Sequence, residues 1–151
     1  MDARALAKKA VAKYATRDPY RIAGELGILV ILCPLCEVRG ARQYIHRRTI
    51  IYINSSLDEA QQRLVCAHEL GHHFCHRGLN RFFMDHNTGM VSNRYENEAH
   101  RFALELLYTD AELQPFLTRP VRDAAAYMGV PEQQAAQRMK NVEPTFWALM
   151  E

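Results

Sequence analysis

The segment His68-Glu69-Leu70-Gly71-His72 constrains this chain more than any other feature. It lies in a run whose apolar positions, Leu57, Leu64, Ala67, Leu70 and Phe74, recur with the helical period. Residues four apart on a helix sit one above the other, so His68 and His72 aim their imidazoles at one point. That is the geometry two nitrogen ligands of a tetrahedral zinc require. Glu69 is turned by about 100° from His68, so it is poorly placed as a ligand but able to reach a water on the metal from the side. Gly71 removes a side chain beside the site and lets another element approach closely. The bland alternative is an exposed His/Glu helix face; the apolar flanks, the Leu-Gly centre and a suitable acid downstream outweigh it.

A catalytic zinc needs a third protein ligand and an open fourth position. The stretch Arg94 to Tyr108, with Ala99, Phe102, Ala103, Leu106 and Leu107 apolar, predicts a second helix that returns antiparallel beside the first. It carries Glu96 and Glu98, which point about 200° apart, so only one of them can serve. Glu98 falls on or beside the apolar stripe, where an unpaired carboxylate is costly and a metal would satisfy it. Helix phase therefore selects Glu98. Tyr95, His73, His76 and His100 are close enough in sequence to supply an oxyanion donor or to support a ligand. Glu105 can orient a ligand histidine or join a salt bridge.

The rest of the chain predicts a helix from Ala3 to about Tyr14, then a short helix capped by Asp18, with Pro19 in its first position, ending at Gly27. Ile28 to Leu32 reads as a buried strand, and Gln43–His46 with Thr49–Ile53 as a hairpin turning at Arg47-Arg48. Ser55 or Ser56 is the expected cap of the histidine-bearing helix, with Asp58 and Glu59 in its first turn and its end near Arg77-Gly78. Gly78 to Asn93, holding Phe82, Phe83, Met84 and Met90, is expected to be an irregular lid. Short helices are expected at Asp123–Tyr127 and Pro131–Lys140. The fold class is α+β: a small three-stranded sheet packed on the active-site helix and its return helix, with additional short helices. One domain, 1–151, is expected, with 120–151 as a helical subregion.

Composition narrows the setting. A net charge of +2 does not argue for nucleic acid. The longest apolar run, Gly27 to Cys33, is too short to span a bilayer, and the first residues lack the apolar core of a signal peptide. A cytoplasmic location with reduced thiols is the expectation for Cys33, Cys36, Cys66 and Cys75. Cys33-Pro34-Leu35-Cys36 has redox or half-zinc-site spacing, but no second Cys or His pair follows at ribbon spacing. Two thiols at a strand end are the reading adopted, and Cys66 and Cys75 read as small buried residues.

Taken together, His68-Glu69-Leu70-Gly71-His72 followed by Glu98-Ala99, Phe102-Ala103 and Leu106-Leu107 resembles the ImmA/IrrE family of metallo-endopeptidases. Tyr14, Thr16-Arg17-Asp18-Pro19, Ile22-Ala23, Leu26-Gly27-Ile28, Thr49–Asn54 and the Ala125, Tyr127–Pro131 segment share the resemblance, which covers about Tyr14 to Lys140. It implies Zn2+ held by His68, His72 and Glu98, and peptide hydrolysis with Glu69 as the general base. It also implies a protein substrate, a helix-turn-helix repressor of a mobile element or prophage. One departure is His100, where the family more often has Asn or Asp. Two other classes stay open: a non-cleaving metal-binding antirepressor or sensor, and a DNA-binding regulator built on the helix pair around Gly129.

Overall fold

The computed structural model describes residues 2–76 and 89–145, with side chains from residue 93 onward in the second stretch. The described chain is α+β, as its patterning predicts, and divides into two compact units, 1–107 and 108–151.

In the first unit, α1 (Ala3–Tyr14) starts at Asp2, whose side chain accepts a hydrogen bond from the Ala5 amide, and stops at Ala15 in the left-handed conformation. Its buried stripe is small, Ala3, Ala7 and Ala10, which lets it lie close to its neighbours. α2 (Pro19–Glu25) is capped by Asp18, whose side chain accepts from the Tyr20 amide, with Pro19 in the first turn, as expected.

The sheet comprises β1 (Leu29–Cys33), β2 (Gly40–Ile45) and β3 (Arg48–Asn54), in the order β1-β3-β2. β3 is central because its alternation is the strongest: Ile51 and Ile53 are fully buried. β1 runs parallel to it, Leu29 opposite Ile50, and β2 antiparallel, Gly40 opposite Ile53. The hairpin turns at His46-Arg47, one residue earlier than expected, and both residues have positive φ, 51° and 62°. Two left-handed residues give the turn a twist that matches the strands, so hairpin geometry here overrides the usual Gly/Asn chemistry.

The histidine-bearing helix is α3 (Glu59–Cys75). Its cap is Asp58, which accepts from the Gln61 amide, rather than Ser55 or Ser56. Ser56 instead donates its hydroxyl to Asn54 Oδ1, finishing the turn that leaves β3. The return helix is α4 (Gly89–Leu107), longer at its start than the apolar pattern implied. Residues 78–88 of the expected lid, including Phe82, Phe83 and Met84, lie outside the described residues, while 89–93 are helical. One core joins Ile22, Ile51, Ile53, Leu70, Phe102, Ala103 and Leu106. At the edge of this core Arg4 and the buried carboxylate of Glu105 form an ion pair of 2.7 Å, so Glu105 serves the α1–α4 contact.

The second unit holds α5 (Asp110–Leu113), a short 3-10 turn (Gln114–Thr118), α6 (Val121–Met128) and α7 (Glu132–Lys140). A capping box of Thr109 and Glu112 starts α5, and Gly129 at φ 71° ends α6. The buried Arg138 guanidinium donates to Asp110 and to the Tyr108 carbonyl. The first two of these elements were not visible as apolar patterns because each is about one turn long.

Candidate metal centre

The site is made where α3 and α4 touch. A Cβ on Gly71 would lie 2.7 Å from the Ala99 carbonyl oxygen and 2.8 Å from its Cα, so only glycine permits this approach. Successive neighbours, His76 with Tyr95, Gly71 with Ala99 and His68 with His100, show that the two helices run antiparallel. With Ala99 facing Gly71, Glu96 lies about 60° to one side of the contact line and Glu98 about 100° to the other. This phase decides which acid meets which histidine.

Glu96 meets the pair. His68 Nε2 is 2.9 Å from its Oε2 and His72 Nε2 is 2.9 Å from its Oε1, so one carboxylate spans both imidazoles. The two rings stand nearly perpendicular, with centroids 4.8 Å apart. His100, one turn after Glu96, stacks on His68 at 4.2 Å, with its Nε2 4.0 Å from Glu96 Oε2. Four side chains therefore crowd one point. Burial opposes ionisation of Glu96, but the hydrogen bonds from His68 and His72 outweigh it and hold the carboxyl below the usual range. Burial, helped by the charge of His68, pushes His100 down to about 4, so it is a neutral ring at pH 7.

Glu98, expected beside His68 and His72, is not brought to them. Its Oε2 is 3.1 Å from His76 Nε2 and its Oε1 is 3.3 Å from Arg94 Nε. The expectation followed the apolar stripe of α4, yet the facing residue is Ala99, and a one-position error in the contact line exchanges the two acids. The pairing of a small residue with Gly71 was the available signal. His76 had been singled out only by proximity; the structure buries it, with its Nδ1 3.1 Å from His72 Nδ1. Burial first, then the neighbouring His72, pushes its pKa below the ordinary imidazole value against the pull of Glu98. Tyr95 packs edge-on against the His76 ring at 4.6 Å, and the His73 ring packs against Phe74. Glu69 is buried on α3, next to His68 in sequence.

This donor set fits a divalent metal. Two imidazole nitrogens and a carboxylate from two rigid helices are the ligand types of a catalytic zinc centre, which keeps its fourth position open. His68 Nδ1 is also buried with no hydrogen-bond partner among the described residues, so the ring is held through its other nitrogen. Three donors, on His68, Glu96 and His100, lie within 4.8 Å of one another, with His72 on the other oxygen of Glu96.

Comparison with known sequences agrees with this chemistry. The IrrE N-terminal-like domain family, Peptidase_M78, matches residues 23–140, which include both helices of the centre. The chain belongs to this family. It is similar to "Uncharacterized immunity region protein 2" of Bacillus phage phi105, 36% identical over 135 residues that span 87% of this chain and 85% of the relative. It is also similar to "Metallopeptidase ImmA" of Bacillus subtilis (strain 168), 32% identical over 124 residues, 78% of this chain and 72% of the relative. Membership places the chain among metallopeptidases of the immunity-region type, a class that works with a divalent metal on protein substrates. Among the described residues no helix is long and apolar enough to cross a membrane.

Proposed function

We propose that the protein is a zinc-dependent endopeptidase of the cytoplasm that cuts a helix-turn-helix repressor of a mobile element or prophage. The observation that carries this reading is the placement of His68 Nε2 and His72 Nε2 on the two oxygens of Glu96. We assign these three as the metal ligands, Glu96 in place of Glu98, because a shared metal requires donors that converge and Glu98 faces His76. The names of the two relatives, one an immunity region protein and one a metallopeptidase, support the substrate class.

Bound there, zinc would supply Lewis-acid polarisation of a peptide carbonyl and lower the pKa of water. The chain's own residues do the rest. Glu69, one position from the first ligand and displaced around the helix, takes a proton from the attacking water and returns it to the leaving amine. β2 is an edge strand of the sheet, and Gly40 at its start lies so close to Val65 of α3 that a Cβ would overlap that side chain. An extended substrate segment adding to this edge would be held in register beside the helix that carries Glu69. His100, stacked on His68, closes one side of the site with a neutral ring.

The test is incubation of the zinc-loaded protein with the repressor encoded nearest its gene, with and without chelator. The reading predicts two repressor fragments, none after chelation, and recovery on adding zinc. A protein that binds zinc and the repressor but leaves it intact would overturn the enzymatic reading and favour a metal-binding antirepressor.

A further inference from the structure

The hydrogen bonds on the far side of His72 form a chain that the ligand assignment does not use. His72 Nε2 faces Glu96, while its Nδ1 lies 3.1 Å from His76 Nδ1. His76 Nε2 lies 3.1 Å from Glu98 Oε2, and Glu98 Oε1 is 3.3 Å from Arg94 Nε. The His76 side chain is only 1% exposed, so water does not compete for these bonds. Arg94, at the outer end, is 78% exposed.

We infer that Glu98 and His76 form a positioning relay that fixes the tautomer and ring angle of His72 for metal binding. This rests on the ligand assignment above. A histidine that gives Nε2 to a metal carries its one proton on Nδ1, and must donate it. The acceptor at that position is His76 Nδ1, so His76 carries its own proton on Nε2 and donates it to Glu98. Every proton in the chain is then assigned, and a single carboxylate at the end orients two rings. Ligand histidines commonly donate directly to a carboxylate, an arrangement whose loss costs about 10–100-fold in metal affinity. Here one histidine is inserted between them. The insertion also explains why α4 carries two acids two residues apart: Glu96 touches the metal side of His72 and Glu98 holds its back.

The experiment compares wild type, Glu98→Gln, His76→Gln and the double variant as full-length protein. Zinc affinity is read by competition with a chelating dye, and apoprotein melting is read alongside. In zinc-loaded wild type, nitrogen-15 spectra of the histidine rings are expected to show His72 protonated at Nδ1 and His76 at Nε2. Glu98→Gln is expected to weaken zinc binding about 10-fold or more with little change in apoprotein melting, and to disturb the His76 signals. The double variant should be no weaker than His76→Gln, since both act through one path. Wild-type affinity in Glu98→Gln, or losses that add in the double variant, would overturn the relay. Complete loss of zinc in Glu98→Gln, with Glu96→Gln still binding, would instead overturn the ligand assignment. The two failures are thereby distinguishable.

Discussion

At the scale of single residues, His72 has both ring nitrogens engaged, Nε2 by Glu96 and Nδ1 by His76. His68 and His72 were legible in the sequence because spacing by four on one helix face is a local property. The choice between Glu96 and Glu98 was not local: it depends on where α4 touches α3, and Ala99 against Gly71 sets it. The cysteines are ordinary by comparison. Burial pushes Cys66 up to about 12, and burial with the charge of Glu98 pushes Cys75 up to about 12, while Cys36 is exposed. Iodoacetamide at pH 8 is expected to label Cys36 readily and to reach Cys66 only as the chain unfolds, measured by mass spectrometry of peptides in native buffer and in urea. The linkage has a definite sign. A thiol whose folded pKa lies above the unfolded value of 9.0 stabilises the fold below that value and loses its contribution as pH rises toward 12. Urea midpoints should therefore fall between pH 8.5 and pH 10.5, less steeply in Cys66→Ala than in wild type; an equal slope would remove Cys66 as a cause.

Among the elements, the α3–α4 contact carries the site. Gly71 costs α3 about 1 kcal/mol of helix propensity relative to alanine, so its presence needs a reason beyond the helix itself. The reason is the Ala99 backbone, which a Cβ would meet at under 3 Å. Gly71→Ala is expected to destabilise the protein by about 1–3 kcal/mol, as overpacking does, despite the gain in propensity. It should also weaken metal binding, because parting the helices moves Glu96 away from His68 and His72. Chemical denaturation and metal titration check the two effects. A variant more stable than wild type with unchanged metal affinity would show that the contact is loose. The caps and strands illustrate what sequence can carry alone: Asp18-Pro19 and the Ile51/Ile53 alternation are read within a few residues. Asp58 displaced Ser56 as cap because Ser56 is occupied by Asn54, a competition visible only once β3 and α3 are joined by their actual turn.

For the molecule as a whole, the α+β class and the antiparallel return of α4 followed from patterning, since amphipathic helices leave few arrangements that bury their apolar faces; β1, expected to be a buried strand, instead leaves Leu29 and Leu32 exposed. The partition into units 1–107 and 108–151 did not, because the chain changes unit at Leu107-Tyr108 with no Pro/Gly-rich linker to mark it. The first unit alone contains every residue assigned to the metal and to proton transfer. It holds Glu69, the proposed base, on the same helix as His68 and His72, with Glu96 brought in from α4, so activity would report on the whole arrangement rather than on any one side chain. Substituting the base separates chemistry from metal binding, since glutamine preserves the shape of Glu69 and removes its ability to accept a proton. The decisive measurement is the rate of repressor cleavage by zinc-loaded Glu69→Gln against wild type, with the zinc content of both determined. The account predicts equal zinc content and a rate lower by about 10²–10⁴-fold. Equal rates at equal zinc content would contradict it.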